Sequence, residues 1–412
     1  MNNSDIKSPS ISINKTIRKG IIYVLLEQPF DERNYRRLGI EYLSLAGWDV
    51  FVYDITPLVV PEYQRQFHQS GGSVYCYTKY KEINSHRELF CQIIKNSNPD
   101  FYIDYCGDTI SSFLAKLMIQ NKGGRKIEIR GGSAPHFTPV TDSPFKGVLD
   151  KCIKKICKLT KYSILRTLVI IFHRLLIKND IVVVSGKLSQ CGLSKYTKVI
   201  YAFSLDYDLY VKSKNKKRSK CINPYAVYLD QNLTNHPGFL YINDKPPATT
   251  EGSMIFLHDF MSRLRKLMEI DILIAAHPRS DMETLEKNYY GYKIFNYETV
   301  DLVRDAEFVI GHYSTSLQYA VFFNKPILIL TTDELSKSNR AAYLQEFCKA
   351  LGCKILNICH EVSADDIKSR LRISSNHYIN YVYSYAKTKN TPQQQFWEIV
   401  ENNIFSEISK SS

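Results

Sequence analysis

No stretch of this chain is apolar over anything near the ~20 residues that a membrane-spanning helix needs. Its first twenty residues, MNNSDIKSPSISINKTIRKG, lack the apolar core of a secretory signal. The expectation is a chain that stays in the cytoplasm. No CxxC pair occurs among the ten cysteines. Only Cys348, Cys353 and Cys359 cluster, beside His360, and their spacing fits no zinc site, so buried free thiols in a reducing compartment are expected. Neither GxxxxGKS/T nor GxGxxG is present, which removes the P-loop and dinucleotide-fold readings. Helix-turn-helix, zinc and RNP-like patterns are also missing. The net charge of +13 calls for an anionic partner or surface; a basic nucleic-acid-binding protein is the rival reading from another class, and these absences count against it.

What is present is globular. The 412 residues, 44% hydrophobic and 23% charged, suffice for two α/β domains. Apolar runs alternate with amphipathic stretches along the chain. Gly20–Leu26 reads as a buried strand, 31–46 as a helix stopped at Gly47, and Trp48–Asp54 as a second strand. Segments 100–105, 126–130, 181–185 and 198–203 continue the strands. After a basic linker at 212–220, Tyr225–Leu229, 271–276, 308–310 and 326–330 repeat the rhythm, with helices over 253–269, Thr299–Asp305 and 314–323. Strand, helix, strand in this order predicts parallel sheets wrapped by helices. The expected organisation is two Rossmann-like domains, 1–210 and 222–390, facing across a cleft. A last segment, 391–412, carries a helix that returns to the first domain.

Three segments carry candidate chemistry. In 271–280, DILIAAHPRS, a buried strand ends abruptly in His277, Pro278 and Arg279. Open α/β sheets bind ligands at the carboxyl ends of their strands. A His and an Arg there would hold a phosphate, a protonated His offsetting charge on a leaving phosphate, or else would merely cap a turn. In 308–330, FVIGHYSTSLQYAVFFNKPILIL, His312 precedes Ser314, Thr315 and Ser316 at the start of a helix, where free N–H groups favour an anion. One cap needs one hydroxyl and three are offered, so ligand binding is the preferred reading. In 225–239, YAVYLDQNLTNHPGF, Asp230 leaves an apolar strand near the domain junction. It would take a proton from an acceptor hydroxyl, with His236 as second choice.

These residues resemble the His-Pro and Ser/Thr motif pair of bacterial sialyltransferases and polysialyltransferases of the GT-B fold. AAHPRSD, GHYSTSLQYAVFFNKPILI, VYLDQNLTNHPGF and FSLDYDLY are closer still to a family of bacterial surface-carbohydrate biosynthesis proteins. The resemblance covers mainly residues 200–335. It implies a GT-B-like glycosyltransferase whose donor is a CMP-linked sugar of sialic, legionaminic or pseudaminic type, building capsule, lipopolysaccharide or O-antigen. His277 would then contact the donor phosphate, Ser314 and Thr315 the phosphate or donor carboxylate, and Asp230 would be the general base. Asp230-Gln231 stands where polysialyltransferases carry paired acids and a glycine. Asp206 and Asp208 imitate a metal-binding DxD, but GT-B enzymes usually rely on protein cations, so no metal or other cofactor is expected. Gln28 and Asp104 end first-domain strands and would line the same cleft, with Gln28 a candidate for acceptor contact.

The segment 144–178 is strongly basic. From 151 to 178 it carries Lys151, Lys154, Lys155, Lys158, Lys161, Arg166, Arg174 and Lys178 without an acidic residue, interleaved with aliphatic side chains. A helix of this kind lies on an anionic membrane face, which suits a lipid-linked acceptor, or else packs in the core with solvated lysines. The rival enzyme reading is a polyol-phosphate transferase of the teichoic-acid type with a CDP-glycerol donor.

Overall fold

The computed structural model describes residues 19–69, 71–131, 134–135, 161–216, 223–236, 238–241 and 244–409. Thirteen strands among them form two wholly parallel sheets. The first contains β1 (Gly20–Leu26), β2 (Trp48–Asp54), β3 (Tyr80–Glu82), β4 (Phe101–Tyr105), β5 (Arg125–Arg130), β6 (Ile181–Val184) and β7 (Lys198–Tyr201), in the order β3-β2-β1-β4-β5-β6-β7. The second contains β8 (Tyr225–Leu229), β9 (Asp271–Ala275), β10 (Lys293–Phe295), β11 (Phe308–Gly311), β12 (Ile327–Thr331) and β13 (Ile355–Asn357), in the order β10-β9-β8-β11-β12-β13. The predicted pair of Rossmann-like domains is therefore observed. Continuous apolar runs such as GIIYVLL in β1 and ILILT in β12 follow from burial on both faces of a parallel sheet.

Strand order reverses between β1 and β4 in one sheet and between β8 and β11 in the other. Ligand crevices of open α/β sheets lie outside the carboxyl ends of strands at such points. In the second sheet those ends are followed by Asp230 and His312, and the end of the neighbouring β9 leads to His277.

The helix expected over 31–46 is two helices, Glu32–Arg37 and Ile40–Leu45. They break at Gly39, whose φ of 84° is left-handed backbone that glycine adopts freely. An added Cβ there would lie 2.4 Å from the Trp397 ring. That ring belongs to helix Phe396–Ser409, whose Phe396, Ile399, Val400 and Ile404 complete the first-domain core around Ile22, Val24 and Ile103. Glu407 fixes the helix by accepting from Lys198 Nζ at 2.8 Å and Arg125 Nη2 at 2.9 Å. These cations hold its carboxyl down at about 2.

Of the basic segment, 144–160 lies outside the described residues, and with it Lys151, Lys154, Lys155 and Lys158. Helix Lys161–Leu176 is described, with its side chains from Thr167 onward. Val169 and Ile177 are buried, whereas Leu168, Phe172, Leu175 and Leu176 are 43–58% exposed. Among the described residues, no helix is long and apolar enough to cross a membrane.

Candidate active site

The carboxyl ends of the two sheets enclose a cleft of about 1550 Å³. The second domain contributes Asp230, His277, Pro278, Arg279, His312, Ser314, Thr315 and Ser316. The first contributes Arg33, Arg37, Tyr63, Asp206 and Asp208. Most of the residues singled out in the sequence are thus brought to one cavity, but their roles separate.

Asp230, the expected general base, is engaged by the protein on both carboxylate oxygens. Its Oδ1 accepts from Tyr289 Oη at 2.8 Å and Asn232 N at 3.2 Å; its Oδ2 accepts from Ser280 Oγ at 3.2 Å and His277 N at 3.4 Å. A carboxylate offers about four lone-pair sites, so none is left for a substrate hydroxyl. Burial raises the carboxyl's pKa, and these donors oppose the shift. Asp230 is a positioning residue that ties the end of β8 to the His-Pro-Arg turn after β9.

His312 is likewise part of the scaffold, contrary to its expected phosphate role. It is 3% exposed, its Nδ1–H donates to Leu330 O at 2.9 Å, and its Nε2 accepts from Tyr228 Oη at 3.1 Å. Both nitrogens are engaged, and burial lowers its pKa to about 4.

His277 differs. Its Nδ1 accepts from Arg279 N at 3.2 Å, which fixes the neutral tautomer with the proton on Nε2. Burial first, then His236, Arg279 and Arg33, lower its pKa to about 3. The protonated histidine expected from sequence is therefore a neutral Nε2–H donor near pH 7. His236 packs against it at 4.7 Å between ring centroids. Its Nδ1 accepts from Gly238 N at 2.9 Å, so its proton also sits on Nε2, a form that cannot act as base through that nitrogen. Burial and Arg279 lower the His236 pKa to about 4.

Ser314 Oγ accepts from Ser316 N at 3.2 Å, and the helix that follows, Leu317–Phe322, is only six residues long. Its first amides already donate to the carbonyls of Ser314, Thr315 and Ser316, each at 3.1 Å. The amides of residues 316–319 are therefore satisfied by the turn itself rather than left for an anion. What remains is the Thr315 and Ser316 hydroxyls, which engage no partner among the described residues.

Asp206 and Asp208 join domains and segments. Asp206 Oδ2 accepts from Gln318 Nε2 at 2.7 Å, and Asp208 Oδ2 accepts from Phe396 N at 2.9 Å. Gln28 accepts from Arg279 Nη2 at 2.9 Å, and Tyr63 Oη accepts from Arg279 Nη1, so the Arg of the His-Pro-Arg turn spans the cleft. Gln28 thus serves the domain junction rather than an open acceptor surface. Asp104 lies 2.9 Å from both Lys116 and Lys126 in a buried ion cluster, apart from the cleft chemistry.

The first-domain arginines were not found from sequence. DERNYRRL falls in the helix expected over 31–46, and only the fold brings Arg33, Arg37 and Arg279 to one cleft.

No family model matches this sequence, and no curated protein matches it. Solved structures do resemble it. The wall teichoic acid polymerase TagF aligns with a TM-score of 0.53 at 10% identity, over 95% of this chain and 90% of that one. The spinosyn rhamnosyltransferase SpnG gives 0.51 at 13% identity, over 93% and 99%. The S. aureus MnaA–UDP co-structure gives 0.50 at 14% identity, over 95% and 97%. The fold is GT-B-like. Identities this low establish the architecture and leave the activity to be argued from the site.

Proposed function

We propose that this chain is a glycosyltransferase that binds a nucleotide-sugar in the interdomain cleft and moves an acidic sugar of sialic, legionaminic or pseudaminic type from CMP to a surface-glycan acceptor. The observation that carries the proposal is His277. Its backbone-fixed tautomer presents an Nε2–H at the carboxyl end of β9, on the same cleft as the unengaged Thr315 and Ser316 hydroxyls. A preorganised neutral donor suits a phosphate whose charge grows as the sugar departs. The ends of β9 and β11 flank β8, roughly 10 Å apart at the ~4.8 Å strand spacing. One phosphate does not reach both, so in this reading His277 serves the phosphate and Thr315 and Ser316 another part of the donor. The likeness to structures named as a rhamnosyltransferase, a teichoic acid polymerase and a UDP complex supports a nucleotide-linked donor.

The test is release of free nucleotide from a panel of CMP-nonulosonates, CDP-glycerol and UDP-sugars in the presence of glycan acceptors. CMP release from a nonulosonate donor is expected. Turnover of CDP-glycerol alone would replace sugar transfer by polyol-phosphate transfer, the reading that the likeness to TagF favours. No release from any donor would end both.

In the same proposal the enzyme works at the anionic inner face of the membrane on a lipid-linked acceptor. Leu168, Phe172, Leu175 and Leu176 support it, because this spacing lays four exposed apolar side chains along one helix face. Phe172→Asp with Leu175→Asp should lower co-sedimentation with anionic vesicles. Unchanged sedimentation would remove the membrane from the proposal.

A further inference from the structure

We infer that Arg33, Arg37 and Arg279 form an anion-binding subsite across the cleft that takes the carboxylate of an acidic sugar unit. Arg33 and Arg37 stand one turn apart on helix Glu32–Arg37 and both line the cleft, as Arg279 does from the second domain. Arg279 is held there by Gln28 and Tyr63, so its position relative to the first-domain helix is set by direct contact.

The three cations are poorly matched by the protein itself. Arg33 makes no hydrogen bond or ion pair among the described residues. Among the described residues Arg37 Nε is buried without a partner, and its guanidinium approaches a single carboxylate, Asp206 Oδ1, at 3.7 Å. Asp206 already accepts from Gln318, while Asp31 accepts from Asn34 N as the cap of its own helix. Burial, followed by the charges of Arg37 and Arg279, pushes the Arg33 pKa below its ordinary value, and Asp206 and Asp31 offset this only in part. Held together in this way, like charges are unfavourable until an anion arrives.

The geometry selects the ligand's chemistry. A guanidinium presents two parallel N–H groups that match a planar carboxylate, whereas an ammonium does not. Arg33 and Arg279 both act on the His277 ring, so the subsite adjoins the proposed phosphate position. The inference rests on the nucleotide-sugar reading and sharpens it: the sugar to be moved, or the sugar to be extended, is acidic.

The test is calorimetry of wild-type and Arg33→Ala protein with CMP, with CMP-N-acetylneuraminate, and with N-acetylneuraminate added to the CMP-saturated protein. Arg33→Ala should leave CMP affinity within about twofold. It should weaken one of the two sialic-acid ligands by roughly ten- to hundredfold, the loss expected for a charge-assisted pair. Loss with CMP-N-acetylneuraminate places the carboxylate on the donor, and loss with the free sugar acid places it on the acceptor. Arg33→Lys, which keeps charge without the fork, should recover only part of the binding. Equal affinity of wild type and variant for both acidic ligands would overturn the inference, and so would an equal loss for CMP alone. A wild-type chain that binds no CMP would sink the nucleotide-sugar reading and the subsite with it. Because Arg33 has no hydrogen-bond or ion-pair partner among the described residues, the variant should unfold at the wild-type midpoint, which separates lost binding from lost folding.

Discussion

On the second-domain wall of the cleft, Asp230 accepts four hydrogen bonds and His312 engages both ring nitrogens. On the first-domain wall, Arg33 engages no partner among the described residues, and Arg37 leaves a buried Nε without one. Both walls are polar and both look functional in outline. The difference lies in what remains available. A group whose hydrogen-bonding capacity is filled by the protein is scaffold, however suggestive its residue type. A group held in place with capacity to spare is where a ligand binds. His277 falls between the two: its Nδ1 is taken by the backbone so that its Nε2–H is left free to donate.

Substitutions can break this contrast, and the largest effect is expected at Asp230. Asp230→Ala leaves the buried Tyr289 hydroxyl and the His277 amide without their acceptor. It should lower unfolding free energy by about 3 kcal/mol or more in urea titration. Asp230→Asn should lose less, because the shape and some of the hydrogen bonds survive. A wild-type midpoint for Asp230→Ala would mean that the carboxylate does not organise the turn.

His312→Ala comes next. It removes the acceptor of the Tyr228 hydroxyl and strands the Leu330 carbonyl, and should reduce stability by about 2 kcal/mol. CMP affinity, measured below the melting range, should stay close to wild type. Strong loss of CMP binding in a still-folded His312→Ala protein would move this residue from scaffold to ligand site.

Acid should act through the histidines. His277 near 3, and His236 and His312 near 4, all lie below the ordinary value of about 6.5. Each binds fewer protons folded than unfolded between those limits, so stability rises with pH across that window and is lost as pH falls below about 6.5. The loss at pH 5 should be at most about 2 kcal/mol per histidine. His312→Gln, which does not titrate, should flatten the dependence of melting temperature between pH 7 and pH 5. An unchanged slope would show that His312 is not held neutral by burial. The smallest effect belongs to the other wall, where Arg33→Ala should shift unfolding free energy by no more than about 0.5 kcal/mol.

The contrast also governs what could be read in the sequence. Long buried strands such as GIIYVLL and ILILT announce themselves by composition, and His277, Ser314 and Asp230 were found because they follow such strands directly. The three-residue strands Tyr80–Glu82, Lys293–Phe295 and Ile355–Asn357 were missed, being too short to show a period. The bonds that engage Asp230 are not legible locally, because its principal donor, Tyr289, lies 59 residues away in sequence. The break at Gly39 depends on the Trp397 ring from the far end of the chain. Arg33 and Arg37 are not singled out by the sequence, since nothing local marks a cation that will line the same cleft as Arg279.

The central claim is that the Nε2–H of His277 holds the phosphate of the donor, while the saturated groups around it only position that ring. Calorimetric titration of CMP into His277→Ala, beside wild type, tests it most directly. The account predicts CMP binding weakened by roughly ten- to hundredfold, in a protein whose urea midpoint stays near that of wild type. Wild-type CMP affinity in His277→Ala would contradict it.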